Sequence, residues 1–102
     1  MITLCIRYTL DHNKLADFET YARALAKPIA RAGGALVGYY MPTRIAGSTN
    51  TALALIGFPD LGVYQQYRDT LANDPENVAN IRRVEASGVI LNEDRSFVQR
   101  VD

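Results

Sequence analysis

The order of hydrophobic periodicities is the feature of this chain that most restricts its fold. Six segments alternate between a period of two, which is typical of strands, and a period of three to four, which is typical of helices. In chain order they are residues 2–10, 15–29, 35–44, 50–58, 61–84 and 95–101. The third and fourth segments are both strand-like and follow each other directly. The predicted order of elements is therefore βαββαβ.

Capping and turn residues mark the ends of the helical segments. Asp60 and Asp74, the latter followed by proline, are predicted N-caps. Gly33 and Gly88 are predicted to end helices in the left-handed conformation that glycine adopts without strain. The first helix is expected to be one long helix that Pro28 kinks in its last turns.

This order of elements predicts an α+β fold, the ferredoxin-like sandwich. In that fold a four-stranded antiparallel sheet carries the helices on one side. A length of 102 residues, with 48% hydrophobic residues, is enough for one core. We therefore expect a single domain over residues 1–102.

The segment from Thr51 to Phe58 is apolar on both faces, although a sheet with one wet face should alternate apolar with polar residues. In the preceding strand, the period of two predicts that Val37 and Tyr39 share one face of the sheet. It predicts that Leu36 and Tyr40 share the other face. A second apolar sheet face exceeds what monomers usually expose, so we expect a homodimer with its sheets face to face. The predicted interface residues are Val37, Tyr39, Leu53 and Leu55.

Several short motifs, in this order and spacing, resemble the NIPSNAP family. They are Tyr8-Thr9-Leu10, Lys14-Leu15, the run from Gly33 to Tyr40, Asn50, and Asp74-Pro75-Glu76. The resemblance spans nearly the whole chain and implies the dimeric α+β barrel superfamily. Members of that superfamily include cofactor-independent monooxygenases, haem-degrading enzymes, isomerases and proteins of unknown activity.

The chain also departs from the NIPSNAP pattern at strand positions. The family's first strand usually carries Glu and Arg where this chain has Leu4 and Ile6. Its third strand often carries His and Trp where this chain has Ala54 and Ile56, and an aromatic residue often follows Asp-Pro where this chain has Asn77. If these positions line the family's cavity, the cavity here is more apolar and lacks those ionisable groups. The family's acid–base chemistry is therefore not expected to transfer.

No catalytic motif is evident. His12 lies in a predicted turn, which favours an exposed loop or cap residue over a haem ligand or general base. Cys5 lies on the first strand and is expected to be a packed or interface thiol. The carboxylates are predicted at caps, on helices and, for Glu93 and Asp94, before the last strand, with none inside a strand. We expect no metal site and no cofactor.

Phenol and guanidinium groups beside an apolar sheet are the best candidates for a ligand site, because they can orient an aromatic or anionic molecule. They are Arg7, Tyr8, Tyr40, Arg44, Tyr64, Tyr67 and Arg68. One hypothesis is a dimer that binds a small apolar or aromatic molecule between sheet and helices, as a binding protein or as a cofactor-independent monooxygenase or isomerase. The other is a non-enzymatic structural or sensing dimer with a filled interior and tyrosines that serve packing.

Charge and composition restrict the partners and the location. Eleven basic and eleven acidic residues cancel, so no field concentrates nucleic acid. An RNA-recognition domain shares this order of elements, but Thr51 to Ile56 lacks the aromatic and basic residues that it needs. The first residues lack the pattern of a secretory signal, no apolar run approaches membrane-spanning length, and there is only one cysteine, so we expect a cytoplasmic protein.

Overall fold

The computed structural model describes all 102 residues and contains four strands and four α-helices. In chain order these are β1 (Ile2–Leu10), α1 (Leu15–Ala24), α2 (Ala26–Ala32), β2 (Ala35–Tyr40), β3 (Thr51–Phe58), α3 (Leu61–Ala72), α4 (Pro75–Ser87) and β4 (Ile90–Val98). The sheet has the order β2-β3-β1-β4, and every neighbouring pair is antiparallel. The helices pack on one face of it. The ferredoxin-like fold predicted from the periodicities is confirmed.

The predicted caps are present in the structure. The Asp60 side chain accepts a hydrogen bond from the Val63 backbone N–H at 2.9 Å, at the start of α3. The Asp74 side chain does the same for two backbone N–H groups at the start of α4. Gly33 and Gly88 have φ angles of 101° and 72°, and they end α2 and α4. The aspartate side chains accept from N–H groups at the helix starts, and the N–H groups of the two glycines donate to carbonyls at the helix ends. Both kinds of bond satisfy backbone groups that a helix end leaves free.

The first helical segment is two helices, which corrects the prediction of one long helix. The break lies at Leu25, between α1 and α2, where the Leu25 N–H bonds to the Ala22 carbonyl in a tighter turn. Pro28 has no N–H with which to bond the carbonyl of Ala24, and its ring disfavours a regular turn there. The break therefore lies three residues before the proline, next to the Ala24 carbonyl that lacks its helical hydrogen-bond donor.

A β-bulge in β2 corrects the predicted faces of that strand. Leu36 pairs with Ile56 and Gly38 pairs with Leu55, so Val37 is an extra residue in the ladder. Each side chain after an extra residue lies on the face of the sheet opposite to the one that simple alternation predicts. Tyr39 consequently lies beneath the helices, on the same side as Leu36, whereas Tyr40 lies on the other face of the sheet. The strand also ends at Tyr40, and residues 41–50 form a loop instead of extending β2 to Arg44.

The last strand begins five residues earlier than predicted, and this places two carboxylates inside it. β4 starts at Ile90, directly after the turn at Gly88, and ends at Val98. In the register with β1, Glu93 lies opposite Tyr8 and Arg95 lies opposite Ile6. Both therefore point to the helix side of the sheet. The prediction that no carboxylate lies within a strand was wrong, because charged residues at a sheet edge hide the period-two signal.

The core lies entirely between the sheet and the helices. Alternate residues of the two central strands are buried there together with apolar residues of the helices. The strand residues are Leu4, Ile6, Tyr8, Leu10, Ala52, Ala54, Ile56 and Phe58. The other face, which we call the outer face, carries the intervening residues, including Cys5 opposite Leu55 and Arg7 opposite Leu53. No element of the chain covers the outer face.

Gly34, between α2 and β2, should be the glycine least tolerant of a side chain. A Cβ at Gly34 would lie 2.9 Å from Cγ2 of Ile29 and 3.0 Å from Cε1 of Tyr67, both in the packed core. We expect Gly34→Ala to lower the free energy of unfolding by roughly 1–3 kcal/mol, measured by urea denaturation. Gly57→Ala is the matched control, since its Cβ would meet nothing nearer than 3.6 Å. Equal stabilities for the two variants would contradict this account.

Candidate functional site

A cavity of about 180 Å³ lies between the sheet and the helices. Apolar side chains form most of its lining, from Leu4 and Ile6 on β1 to Leu25 on the helix side. Twelve of its fifteen lining residues are hydrophobic, if the tyrosines are counted with them. The two β1 positions are among those where the family pattern carries charged residues. Their aliphatic side chains make this part of the cavity apolar.

Four tyrosines from four different elements converge on this cavity. They are Tyr8 on β1, Tyr21 on α1, Tyr39 on β2 and Tyr67 on α3. The hydroxyls of Tyr8 and Tyr39 lie 3.3 Å apart and share a hydrogen bond. The Tyr8 ring also packs edge-to-face on Phe18, with ring centroids 4.8 Å apart. The β2 bulge brings Tyr39 into this group, because without it the ring would lie on the outer face.

The phenols stay protonated at neutral pH. Burial raises the pKa of Tyr21 to about 12, and the neighbouring Glu93 carboxylate adds to that effect. Burial likewise raises the pKa of Tyr67 to about 12. It raises the pKa values of Tyr8 and Tyr39 as well. A buried phenolate lacks the hydration that stabilises its charge, so these hydroxyls act as hydrogen-bond donors.

Two guanidinium groups border the cavity, and no carboxylate does. Arg95 reaches it from β4, and the exposed Arg68 reaches it from α3. The Nε of Arg95 donates to Oε2 of Glu93 at 2.9 Å, and about half of the Arg95 side chain is exposed. The terminal nitrogens of Arg95 make no hydrogen bond within the chain. The cavity is therefore apolar, and its border carries Arg68 and an Arg95 that is paired with Glu93.

Asn77 lines the cavity and carries the only buried side-chain polar atom without a hydrogen-bond partner. Its side chain is almost fully buried, with the whole residue 1% exposed. Nδ2 donates to the Leu71 carbonyl at 3.1 Å, which leaves Oδ1 as the unpartnered acceptor. A buried acceptor without a partner is costly, so such atoms usually meet a water or a ligand.

A wider cleft of about 420 Å³ adjoins the cavity between α4 and β4. The two spaces share Tyr21, Ile81 and Arg95 as lining residues. Glu85 and Glu93 line only this cleft, which we call the mouth. The two spaces together fall in the size range of small-molecule sites, whereas the inner cavity alone suits about one ring.

The structure separates the predicted ligand residues into two groups. Tyr8, Tyr67 and Arg68 line the inner cavity. Tyr64 packs against Phe58 and Phe97 beside it, with ring centroids 5.2 Å and 4.9 Å away, and does not line it.

The remaining predicted residues lie elsewhere. Arg7 and Tyr40 are exposed on the outer face, each opposite Leu53 in the register. Arg44 is exposed in the loop of residues 41–50. Tyr39, which was predicted at the interface, lies in the cavity instead.

Sequence reasoning missed four residues of this site: Tyr21, Asn77, Glu93 and Arg95. Tyr21 is three positions after Phe18 on α1, so its helical spacing could have indicated a buried ring. Asn77 was noted only as a departure from the family pattern. Glu93 and Arg95 were missed because β4 was predicted to start too late, and no local signal corrects that error.

The residues considered earlier for catalysis lie apart from this cavity. His12 is exposed in a single 3₁₀ turn, where its Nε2 lies 2.8 Å from the Thr49 hydroxyl. Cys5 is a free thiol on the outer face and is partly exposed. No three His, Cys, Asp or Glu side chains are grouped closely enough to hold a metal ion. None of the helices combines the length and the hydropathy needed to cross a bilayer.

Comparison with known proteins gives a consistent result. The NIPSNAP family model matches residues 3–102. An uncharacterized NIPSNAP domain protein from Burkholderia xenovorans has a similar structure, with a TM-score of 0.80 and 18% identity over 99% of this chain and 95% of that one. A NIPSNAP family protein from Agrobacterium tumefaciens gives a TM-score of 0.80 and 24% identity over 99% and 93%.

The same fold extends to a protein described as an enzyme. SnoaB, a cofactor-independent oxygenase from Streptomyces nogalater, gives a TM-score of 0.67 at 17% identity, over 99% of this chain and 93% of that one. At this level of identity the likeness shows a shared fold. No curated protein matches the sequence.

The buried phenols predict how stability depends on pH. The unfolded chain releases phenol protons near pH 10, whereas the native state holds those of Tyr21 and Tyr67 until about pH 12. The contribution of these phenols to the free energy of unfolding is fully present below pH 10. It is lost between pH 10 and pH 12, by on the order of 1–3 kcal/mol per phenol. Urea denaturation across this range should show the decline. The double variant Tyr21→Phe/Tyr67→Phe should decline less, and an identical slope would refute the assignment.

Proposed function

The chain belongs to the NIPSNAP family, and on that premise we propose that it is a homodimer that binds a small aromatic molecule between its sheet and helices. The single observation that carries this proposal is the cavity in which four phenol groups converge. A core built only for stability would leave little empty space of this kind. Here apolar walls, protonated phenol groups and an unpartnered amide oxygen surround it instead, the combination typical of ligand sites.

The outer face supports the second half of the proposal, the homodimer. Val37, Tyr40 and Val98 are 62%, 49% and 45% exposed, and Leu53 and Leu55 lie half-buried on the outer face between the edge strands. An uncovered sheet face of this kind favours association. A second copy of the chain is the occupant that we propose, since a two-fold axis lets the same face serve both partners.

Charge complementarity favours a second copy over an unrelated partner. Arg7 and Asp94 are neighbours across β1 and β4 on the outer face, yet they form no ion pair with each other or with any other residue. We propose that Arg7 of each copy pairs with Asp94 of the other in a face-to-face dimer. One two-fold axis then makes two such pairs, which sets the register of the two sheets.

A catalytic role is a second candidate, and one observation favours it. Glu93 is a carboxylate at the mouth, next to a cavity for an aromatic molecule. In this role it would take a proton from an activated C–H or O–H of a bound ring, while Arg95 holds its Oε2. Cofactor-independent oxygenation, the activity named for the Streptomyces nogalater protein, needs a substrate that reacts with O₂ itself, and a deprotonated ring does so more readily. Isomerisation could use the same base.

We also propose a cytoplasmic location. The only cysteine, Cys5, is a free and partly exposed thiol on the outer face. A thiol at a dimer interface keeps its packing role only where it stays reduced, and the cytoplasm provides that condition.

Blocking the cavity should abolish ligand binding without unfolding the protein. A thermal-shift screen of neutral aromatic compounds should give binders that raise the melting temperature by mass action. Ile81 lines both the cavity and the mouth, so Ile81→Trp should remove the shift. Arg82→Trp, one position along α4 on an exposed site, is the matched control and should keep it. Binding that survives Ile81→Trp would place the ligand elsewhere.

A charge on the outer face should separate the two copies. We expect Leu53→Glu and Leu55→Glu to give monomer or aggregate in analytical ultracentrifugation, because a carboxylate would be buried without a partner. Leu61→Glu is the control, since Leu61 is 60% exposed on α3, and it should remain dimeric. Arg7→Asp and Asp94→Arg should each weaken the dimer, and the double reversal should restore it. A dimer unaffected by both leucine variants would contradict the proposed interface.

A further inference from the structure

We infer that the ligand of the inner cavity is a hydroxyaryl carboxylic acid: one aromatic ring with a hydrogen-bond-donating hydroxyl and a single carboxylate. This inference rests on the proposed binding function and adds the chemical class of the ligand. Three features of the cavity lead to it: its size, the unpartnered acceptor of Asn77, and the distribution of formal charge between the inner cavity and the mouth.

The size of the inner cavity restricts the ligand to about one ring. A space of about 180 Å³ is smaller than the sites that take drug-sized molecules. The rings around it, such as Tyr8 and Tyr39, give edges and faces against which another ring can pack. A second ring or a long substituent would have to extend into the mouth, which has room for it.

Asn77 offers a buried acceptor that a donor on the ligand would satisfy. Its Oδ1 is buried and unpartnered while its Nδ2 is already bonded to the Leu71 carbonyl, so the amide cannot turn over without losing that bond. An acceptor of this kind is satisfied by an O–H or N–H group. The tyrosine hydroxyls do not supply it, since no hydrogen bond joins any of them to Asn77. A hydroxyl on the bound ring meets this requirement.

Formal charge at the inner cavity favours an acid over an amine. The inner cavity is lined by Arg68 and Arg95 and by no carboxylate. Arg95 uses only Nε for Glu93, so its two terminal nitrogens are free to hold a carboxylate in the two-pronged geometry that guanidinium groups favour. Tyrosine hydroxyls that remain protonated add neutral donors for the same group.

The mouth limits the number of negative charges. Glu85 and Glu93 both line it, and only Arg95 offsets them there. A second carboxylate or a phosphate that extended into the mouth would lie against like charge. The site should therefore prefer a monoanion to a dianion.

Four related compounds test these requirements by isothermal titration calorimetry of the full chain at neutral pH. They are 4-hydroxyphenylacetate, phenylacetate, which lacks the hydroxyl, tyramine, which has an amine in place of the acid, and 4-methylphenol, which has no charge. We expect 4-hydroxyphenylacetate to bind more tightly than phenylacetate and tyramine, by about tenfold or more in each case.

Variants then assign each preference to a residue. Arg95→Gln should remove most of the advantage of the acid over the amine, and Arg82→Gln, on the surface of α4, should not. Asn77→Leu should remove the advantage of the hydroxyl. If Asn77→Leu fails to fold, the comparison of 4-hydroxyphenylacetate with phenylacetate on the unchanged protein still decides that step.

The outcomes separate this inference from the proposed function. Equal affinity for the acid, the amine and the compound without hydroxyl would overturn the ligand class. Binding of 4-methylphenol without binding of either acid would also overturn it, while the binding function would stand. If none of the four compounds binds and no neutral aromatic compound gives a thermal shift, the proposed function fails as well.

Discussion

Desolvation of four phenol groups in one layer is the constraint on which the rest of this structure depends. Each ring contributes apolar area to a thin two-layer protein, but each hydroxyl must be kept protonated or hydrogen-bonded once water is excluded. Tyr8 and Tyr39 meet this need by sharing a hydrogen bond. The rings of Tyr21 and Tyr67 border the remaining space, and burial raises the pKa of both phenol groups because it removes water from their hydroxyls. In the proposed ligand site, packing and recognition would thus use the same side chains.

The fold could be predicted from the sequence because its elements are marked by residues with strong local preferences. Asp60 and Asp74 cap helices, and Gly33 and Gly88 end them, by contacts within a few positions of the chain. Such contacts need no tertiary information. The first strand was also clear, since its burial on the helix side imposes a period of two.

The site was harder to predict because it depends on two features without a local signal. One is the bulge at Val37, a single extra residue that turns Tyr39 inward and Tyr40 outward. The other is the early start of β4, where burial alternates too weakly to be recognised, so Glu93 and Arg95 were not placed beside Tyr8. Four of the seven predicted ligand residues, Arg7, Tyr40, Arg44 and Tyr64, lie away from the cavity. The aliphatic residues that replace the family's charges do lie in it, as Leu4 and Ile6 show.

The two edges of the sheet have a consequence for the behaviour of the protein at high concentration. An edge strand exposes free N–H and C=O groups with which a strand of another molecule can pair, and repeated pairing of this kind builds a fibre. β4 carries Glu93, Asp94 and Arg95 in succession, and β2 is six residues long and interrupted by its bulge. Neither edge is a good template for a foreign strand. Growth into fibres by strand addition is thereby discouraged in the plane of the sheet.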